Sequence, residues 1–335
     1  MTDLICISHL RWDFVWQRPQ HLLSRLGQHY PYRIFFVEEP VASQQVSSPQ
    51  LRVTHTEDKV SVVQLLQPTP QPTWIGHSDP LTALTYQKLL NDYLGEVGSQ
   101  RRLIWLYTPM GWHFVESITH HMLVYDVMDE LSAFKGAPPQ LREWEARMLA
   151  RANLVFTGGV SLYQSRASHN TSTHLFPSGV EIEHFARAAN RYAFPRPADL
   201  PSGSGPVLGY YGVIDERMDL PLLALMAAAR PDWQIVLIGP VAKIDPAELP
   251  QAPNLHYLGM KPYASLPAYL AHFDVALVPF AINAATRYLS PTKTLEYMAA
   301  HKPIVSTPIQ DIEALYGEVV RIAVNAPDFV EQVEA

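Results

Sequence analysis

Short apolar runs alternate with longer stretches of helical spacing along the whole chain. Asp3 to Ser8 ("DLICIS") is a run of strand length, and Pro19 to Tyr30 sets Leu22, Leu23 and Leu26 on one helical face. Tyr32 to Pro40 reads as the next strand. Leu51 to Leu66 predicts a hairpin turning at Glu57-Asp58, between Pro- and Gln-rich loops expected to be mobile surface. The alternation continues with a helix over Leu81 to Val97, strands over Arg102 to Tyr107 and Met122 to Val127, and a helix over Pro139 to Ala152. A strand (Leu154 to Thr157), a helix (Ser161 to Ser168) and a strand (His174 to Pro177) complete the first half. Ala193 to Pro206 holds four prolines and two glycines in fourteen residues and breaks the pattern. Beyond it strand and helix alternate again, through "VLGYYGV", "LPLLALMAAAR", "WQIVLIG", "NLHYLG", "SLPAYLAHF", "DVALVPF" and "GEVVRIA".

Alternation on both sides of one linker predicts an α/β protein of two Rossmann-like parallel-sheet domains facing a cleft. The expected boundaries are 1–190 for the first domain, 191–206 for the linker and 207–335 for the second. A length of 335 residues agrees with two domains. Such sheets bind ligands at the carboxyl ends of their strands.

Composition narrows the function only a little. The net charge of −7 gives no reason to expect nucleic acid as a partner. The lone Cys6, in an apolar run, excludes an internal disulfide framework and a cysteine-clustered zinc site. No signal peptide precedes Asp3 and no apolar run approaches about 18 residues, so the expected compartment is cytoplasmic. Peripheral membrane contact stays open.

The chemistry concentrates in "SPTKTLEYMAAHKPIVS", Ser290 to Ser306. Ser290 suits an N-cap and Pro291 the first helical position. Free backbone N–H groups and the helix dipole then make the turn through Thr292 and Lys293 an anion site suited to a phosphate. Glu296 follows about 9 Å along the axis from Ser290 at roughly 1.5 Å per residue, where the ribose of a bound nucleoside diphosphate would fall. The rival reading is a simple i, i+3 ion pair of Lys293 and Glu296 on a helix surface.

In the first half, Arg18 precedes a proline and is expected extended at the cleft mouth, a charge for the donor phosphates. Trp12 and Trp16 are equally well packing residues. Asp126, Asp129 and Glu130 stand at a strand end, where acids are costly to bury without a task. Asp129 is the first candidate catalytic carboxylate and Asp126 its rival; a helix cap or turn is the plainer alternative. His120-His121 has no matching ligand cluster, so no metal is expected.

"SPTKTLEYMAAHKPIVST", with "LFPSGVEIEHF" and "NLHYLGMKPYASLPAYLAHFDVALVPF", resembles the donor-binding part of the family 4 retaining nucleotide-sugar glycosyltransferases, which have the GT-B fold. "ISHLRWDFVWQRPQHLL" and "LVYDVMDELSAF" resemble a bacterial surface-polysaccharide subgroup. The resemblance implies Glu296 on the ribose hydroxyls, Ser290 to Lys293 on the diphosphate, backbone at Met260 and Lys261 on the base edge, and Arg217 on the phosphates. It implies a nucleotide-sugar donor as co-substrate, no other cofactor, and a glycan or lipid-linked acceptor. The alternatives are a nucleotide-sugar epimerase of the same shape and a non-catalytic sugar-binding protein.

The chain departs from the pattern in four places. Tyr288 stands where a second glutamate is common, and Gly212-Val213 where a Gly-Arg pair is usual, leaving Arg217 to do the phosphate work. His301 replaces a helix-ending glycine, at a cost of about 1 kcal/mol if that position is left-handed. The family normally continues past the equivalent of Ala335, so a shortened form is expected.

Overall fold

The computed structural model describes residues 1–68, 77–290 and 292–335. The chain divides into two compact units, one of Met1–Ser132 with Gly136–Phe176, the other of Ala133–Lys135 with Pro177–Ala335.

The first unit contains β1 (Thr2–Ile7), α1 (Arg18–His29), β2 (Tyr32–Val37), β3 (Val41–Ser43), β4 (Gln50–His55) and β5 (Val60–Pro68). It continues with α2 (Pro80–Val97), β6 (Arg102–Leu106), α3 (Trp112–Ser117), β7 (Met122–Val127), α4 (Leu141–Arg151), β8 (Leu154–Thr157), α5 (Val160–Arg166) and β9 (Thr173–Leu175). The sheet order is β3-β5-β2-β1-β6-β7-β8-β9, parallel along that path, with β4 antiparallel on β5. The predicted hairpin is therefore present. Its turn is closed by Lys59 in a left-handed conformation (φ 62°). Leu4, Cys6, Leu23, Ile34, Phe36 and Val60 form part of the core beneath the sheet, so Cys6 is the buried apolar residue the sequence predicted.

The second unit contains α6 (Ile182–Ala186), β10 (Val207–Tyr211), α7 (Leu220–Ala229), β11 (Gln234–Ile238), β12 (Leu255–Tyr257), α8 (Leu266–Ala271) and β13 (Val275–Val278). It ends with α9 (Thr292–Ala299), β14 (Ile304–Ser306), α10 (Gln310–Tyr316), β15 (Arg321–Ile322) and α11 (Ala326–Glu334). The sheet is parallel throughout, in the order β12-β11-β10-β13-β14-β15. Chain order reverses between β10 and β13, and a ligand crevice in such a sheet lies at the carboxyl ends of those strands.

Three details differ from expectation. The division falls at Phe176–Pro177 rather than after residue 190, because Phe185 and Ala188 are fully buried in the second unit's core. The Pro-rich stretch is also pinned there: Leu200 is buried in that core, and Asp199 accepts from Tyr269 Oη at 2.9 Å. The segment expected to be a mobile loop supplies β3, which pairs with β5 and buries Ala42. Finally, α1 begins at Arg18 rather than after it. Gln17 takes the extended backbone instead (φ −137°, ψ −173°), and its N–H donates to the Gln20 side chain at 3.1 Å.

Candidate functional site

The donor-side candidates sit where the second sheet reverses order. β13 ends in a loop that feeds α9, and Pro291, the expected first helical residue, lies outside the described residues. Ser290 is half-buried before it, and Thr292 opens the helix. Glu296 is buried in α9 at 3% exposure. One carboxylate oxygen meets Lys293 Nζ at 3.4 Å, a long contact, and the other makes no hydrogen bond of good geometry among the described residues, although the Tyr211 hydroxyl is near enough to Glu296 to feel it. The ion pair of the rival reading is thus present. It lies on an inward face rather than a solvated surface, and it leaves half of a buried carboxylate unsatisfied. Buried polar atoms are normally paired, so such an oxygen calls for an explanation.

The wall around Glu296 is aromatic. Tyr211, the last residue of β10, is 1% exposed, and Lys293 Nζ lies 5.4 Å from its ring centroid. Tyr297 meets the same ring edge-on at 5.1 Å, and its hydroxyl accepts the Tyr211 backbone N–H at 3.2 Å. Tyr211 Oη and Thr294 Oγ1 are also buried and make no hydrogen bond of good geometry among the described residues. Burial first, and then the Glu296 charge, hold the Tyr211 phenol well above its usual pKa. It stays a hydrogen-bond donor at any physiological pH. The sequence reading missed Tyr211; its place at the end of the switch-point strand is the signal that could have found it.

Helix α9 closes as the sequence warned. His301 is left-handed at φ 53°. Its N–H reaches Met298 O at 2.9 Å, and Lys302 N–H reaches Tyr297 O at 3.0 Å, the bond pair of a Schellman ending. A glycine would fill this position without the Cβ clash.

Arg217 is more committed than expected. Asp215, 3% exposed, holds it through two contacts, Nε–Oδ1 at 2.9 Å and Nη2–Oδ2 at 2.7 Å. A guanidinium so held presents less net charge to a phosphate. Lys261 points its ammonium at Asp199 (2.6 Å), which leaves its backbone, with that of Met260, for any base-edge role. Met260 is exposed, just past Gly259 at φ 67°.

In the first unit the arrangement corrects the reading of Arg18. Its guanidinium is not presented to solvent. It is buried, Nε donates to Asp126 at 3.0 Å and Nη1 to Phe176 O at 2.6 Å. Asp126 is fully buried at the end of β7, and burial raises its pKa against the opposing pull of Arg18. Trp105 Nε1, Tyr107 Oη, Arg18 Nη2 and Asp126 Oδ1 are all buried and make no hydrogen bond of good geometry among the described residues, though Tyr107 and Trp105 are close enough to Asp126 to favour its charged form. Asp129 is half-buried in the turn after β7, while Glu130 pairs with Arg166 at 2.5 Å. Trp12 is buried in the core and meets Phe36 edge-on at 5.2 Å, the packing alternative.

With this geometry in hand, comparison with known proteins is informative. Residues 205–335 match the family model described as glycosyl transferases group 1. The matched stretch holds β10 to α11, and so the whole donor-side constellation. A putative teichuronic acid biosynthesis glycosyltransferase, TuaH of Bacillus subtilis (strain 168), is 27% identical over 248 residues, covering 68% of this chain and 62% of the relative. The match therefore spans less than two thirds of that relative's length. Sucrose-phosphate synthase from Thermosynechococcus elongatus superposes with a TM-score of 0.71 at 15% identity, over 100% of this chain and 89% of that one. The E. coli trehalose-6-phosphate structure with bound UDP-2-fluoro glucose gives 0.66 at 13% identity, over 99% and 90%. The fold is the two-domain α/β fold of the GT-B glycosyltransferases. No described helix is long and apolar enough to cross a membrane.

Proposed function

We propose that the protein is a glycosyltransferase that moves a sugar from a nucleoside-diphosphate sugar to an acceptor hydroxyl in glycan or polysaccharide synthesis, with retention and without a metal. The observation that carries this reading is Glu296, a buried carboxylate with one unsatisfied oxygen, on the helix that follows the switch-point strand. It lies about 6 Å along the axis from Thr292 at roughly 1.5 Å per residue. A diphosphate at the helix start would set a ribose beside it. A carboxylate accepts hydroxyl hydrogen bonds well, and two ribose hydroxyls would satisfy the open oxygen. The match of residues 205–335 to glycosyl transferases group 1 supports the same chemistry.

As the donor bond breaks, charge grows on the diphosphate. The helix start, Lys293 and Arg217 are the groups assigned to stabilise it. Met260 and Lys261 backbone is assigned to the base and Asp129 to the acceptor side. Arg18 and Asp126, as a buried pair, position that part of the first unit. The acceptor is a glycan or a lipid-linked sugar; the latter would bring the protein to a membrane surface from the cytoplasm.

A thermal-shift panel of nucleoside diphosphates tests the reading. A ligand at 100 times its Kd adds about 2.7 kcal/mol, so one base should stand out. No stabilisation by any member would remove the donor site. Transfer with the preferred donor should give the donor's own anomer and survive EDTA. Loss of activity on chelation, restored by a divalent ion, would overturn the metal-free part.

A further inference from the structure

Most cations near the carboxyl end of the second sheet are already engaged. Arg217 is held by Asp215, Lys293 reaches Glu296, and Lys261 is paired with Asp199. Lys243 differs from these. It is exposed on the loop after β11 and, like Lys135 and Arg287, makes no ion pair with any described residue; unlike Arg287 it shares an aromatic ring with Arg217.

That loop is built, not loose. Gly239 sits so close to the loop after β10 that a Cβ on it would come within 1.8 Å of Gly212 O. Ile214 N–H donates to Pro240 O and Ala242 N–H to Ile214 O, both at 3.0 Å. The next residue, Lys243, is left-handed at φ 63°, a conformation disfavoured for any side chain with a Cβ. The same strand-end loops carry Arg217. Its carbonyl accepts from Ala281 N–H at 2.8 Å, and Glu216 O accepts from the Asn283 side chain at 3.2 Å, which ties them to the segment leading into α9.

Phe134 joins the two cations. It belongs to the Ala133–Lys135 stretch that packs with the second unit. Lys243 Nζ lies 3.9 Å from its ring centroid and the Arg217 guanidinium carbon 5.3 Å from it. The charges are therefore at most about 9 Å apart. An aromatic face attracts each cation separately, but the two repel one another, and an anion bound between them relieves that repulsion.

We propose that Lys243, held with Arg217 around Phe134, is a phosphate-binding residue for the donor diphosphate. This rests on the donor reading above and adds to it a residue outside the helix start. Lys243 takes the outer phosphate charge, and Arg217, partly neutralised by Asp215, completes the clamp.

Titration calorimetry on the full chain tests it, with the preferred nucleoside diphosphate, its monophosphate and the bare nucleoside. Lys243→Ala should weaken the diphosphate by about five- to ten-fold, the range for a charge-assisted contact at a partly exposed site. The bare nucleoside should bind it as it binds the wild type. Phe134→Leu, which keeps an apolar side chain but removes the ring, should fall between the two. If Lys243→Ala binds the diphosphate as tightly as wild type, the Lys243 assignment fails while the donor reading stands. Equal losses for diphosphate and nucleoside would also overturn it, because the effect would not be on phosphate. If the wild type binds no nucleoside diphosphate, both readings fall together.

Discussion

Glu296→Gln separates a ligand-binding carboxylate from a structural one, because the two roles predict opposite signs. The amide keeps the shape and removes the charge. In the free protein the carboxylate is 3% exposed, has one oxygen 3.4 Å from Lys293 and one with no hydrogen bond of good geometry among the described residues. Burying a poorly compensated charge is costly, and the amide removes that charge while keeping the shape. Lys293 keeps about a fifth of its side chain exposed, so losing its partner does not strand it in a dry site. The free variant should therefore match or exceed wild-type stability. Donor binding should move the other way. Hydrogen bonds to a charged group contribute about 1.5–3 kcal/mol, or roughly 10- to 150-fold in Kd. Calorimetry with the preferred nucleoside diphosphate and its 2′,3′-dideoxy analogue isolates the contact. Wild type should discriminate strongly between the two ligands and the variant weakly. A variant that unfolds earlier yet binds and discriminates like wild type would refute the ribose role and leave a structural ion pair.

Three further outcomes are expected. Asp126→Asn should cost about 3–5 kcal/mol in unfolding experiments, because it leaves Arg18 buried without its counter-charge, whereas Asp129→Asn should fold normally and lose turnover by about 100-fold; normal turnover in Asp129→Asn would end its catalytic assignment. His301→Gly should raise stability by about 1 kcal/mol, read as a higher urea midpoint, by removing the left-handed penalty at φ 53°. His77, before α2, is buried with Nε2 2.9 Å from Ser8 O, and burial, the largest effect, lowers its pKa to about 3 from 6.5 unfolded. The folded state thus resists protonation, and stability present above pH 6.5 is lost as pH falls towards 3, by about 2 kcal/mol at pH 5. Denaturant midpoints at pH 7 and 5, followed by tryptophan fluorescence, should show that slope, and His77→Gln should flatten it.

The local geometry of the candidate site was legible in the sequence where its signals are local. The helix start and the acid beyond it follow from one-dimensional rules of capping and periodicity, and the left-handed His301 was flagged only by the family resemblance. Strand order was legible as a class but not in detail: β3 is three residues long and exists only because β5 offers it an edge. What the sequence could not carry is pairing across distance. Arg18 and Asp126 are 108 residues apart, and nothing near either announces that they neutralise one another; a charge at a strand end reads as a ligand group until its partner is seen. The same holds at Arg217. Its partner Asp215 is only two residues away, but that spacing permits a bidentate pair in one loop conformation and forbids it in others. The loop here is fixed by the close passage of Gly239 over Gly212. Charge at a binding site is thus set less by which cations the sequence supplies than by which carboxylates the fold brings to them, and Lys243, unremarked in the sequence, is among the cations that have no ion pair with the described residues.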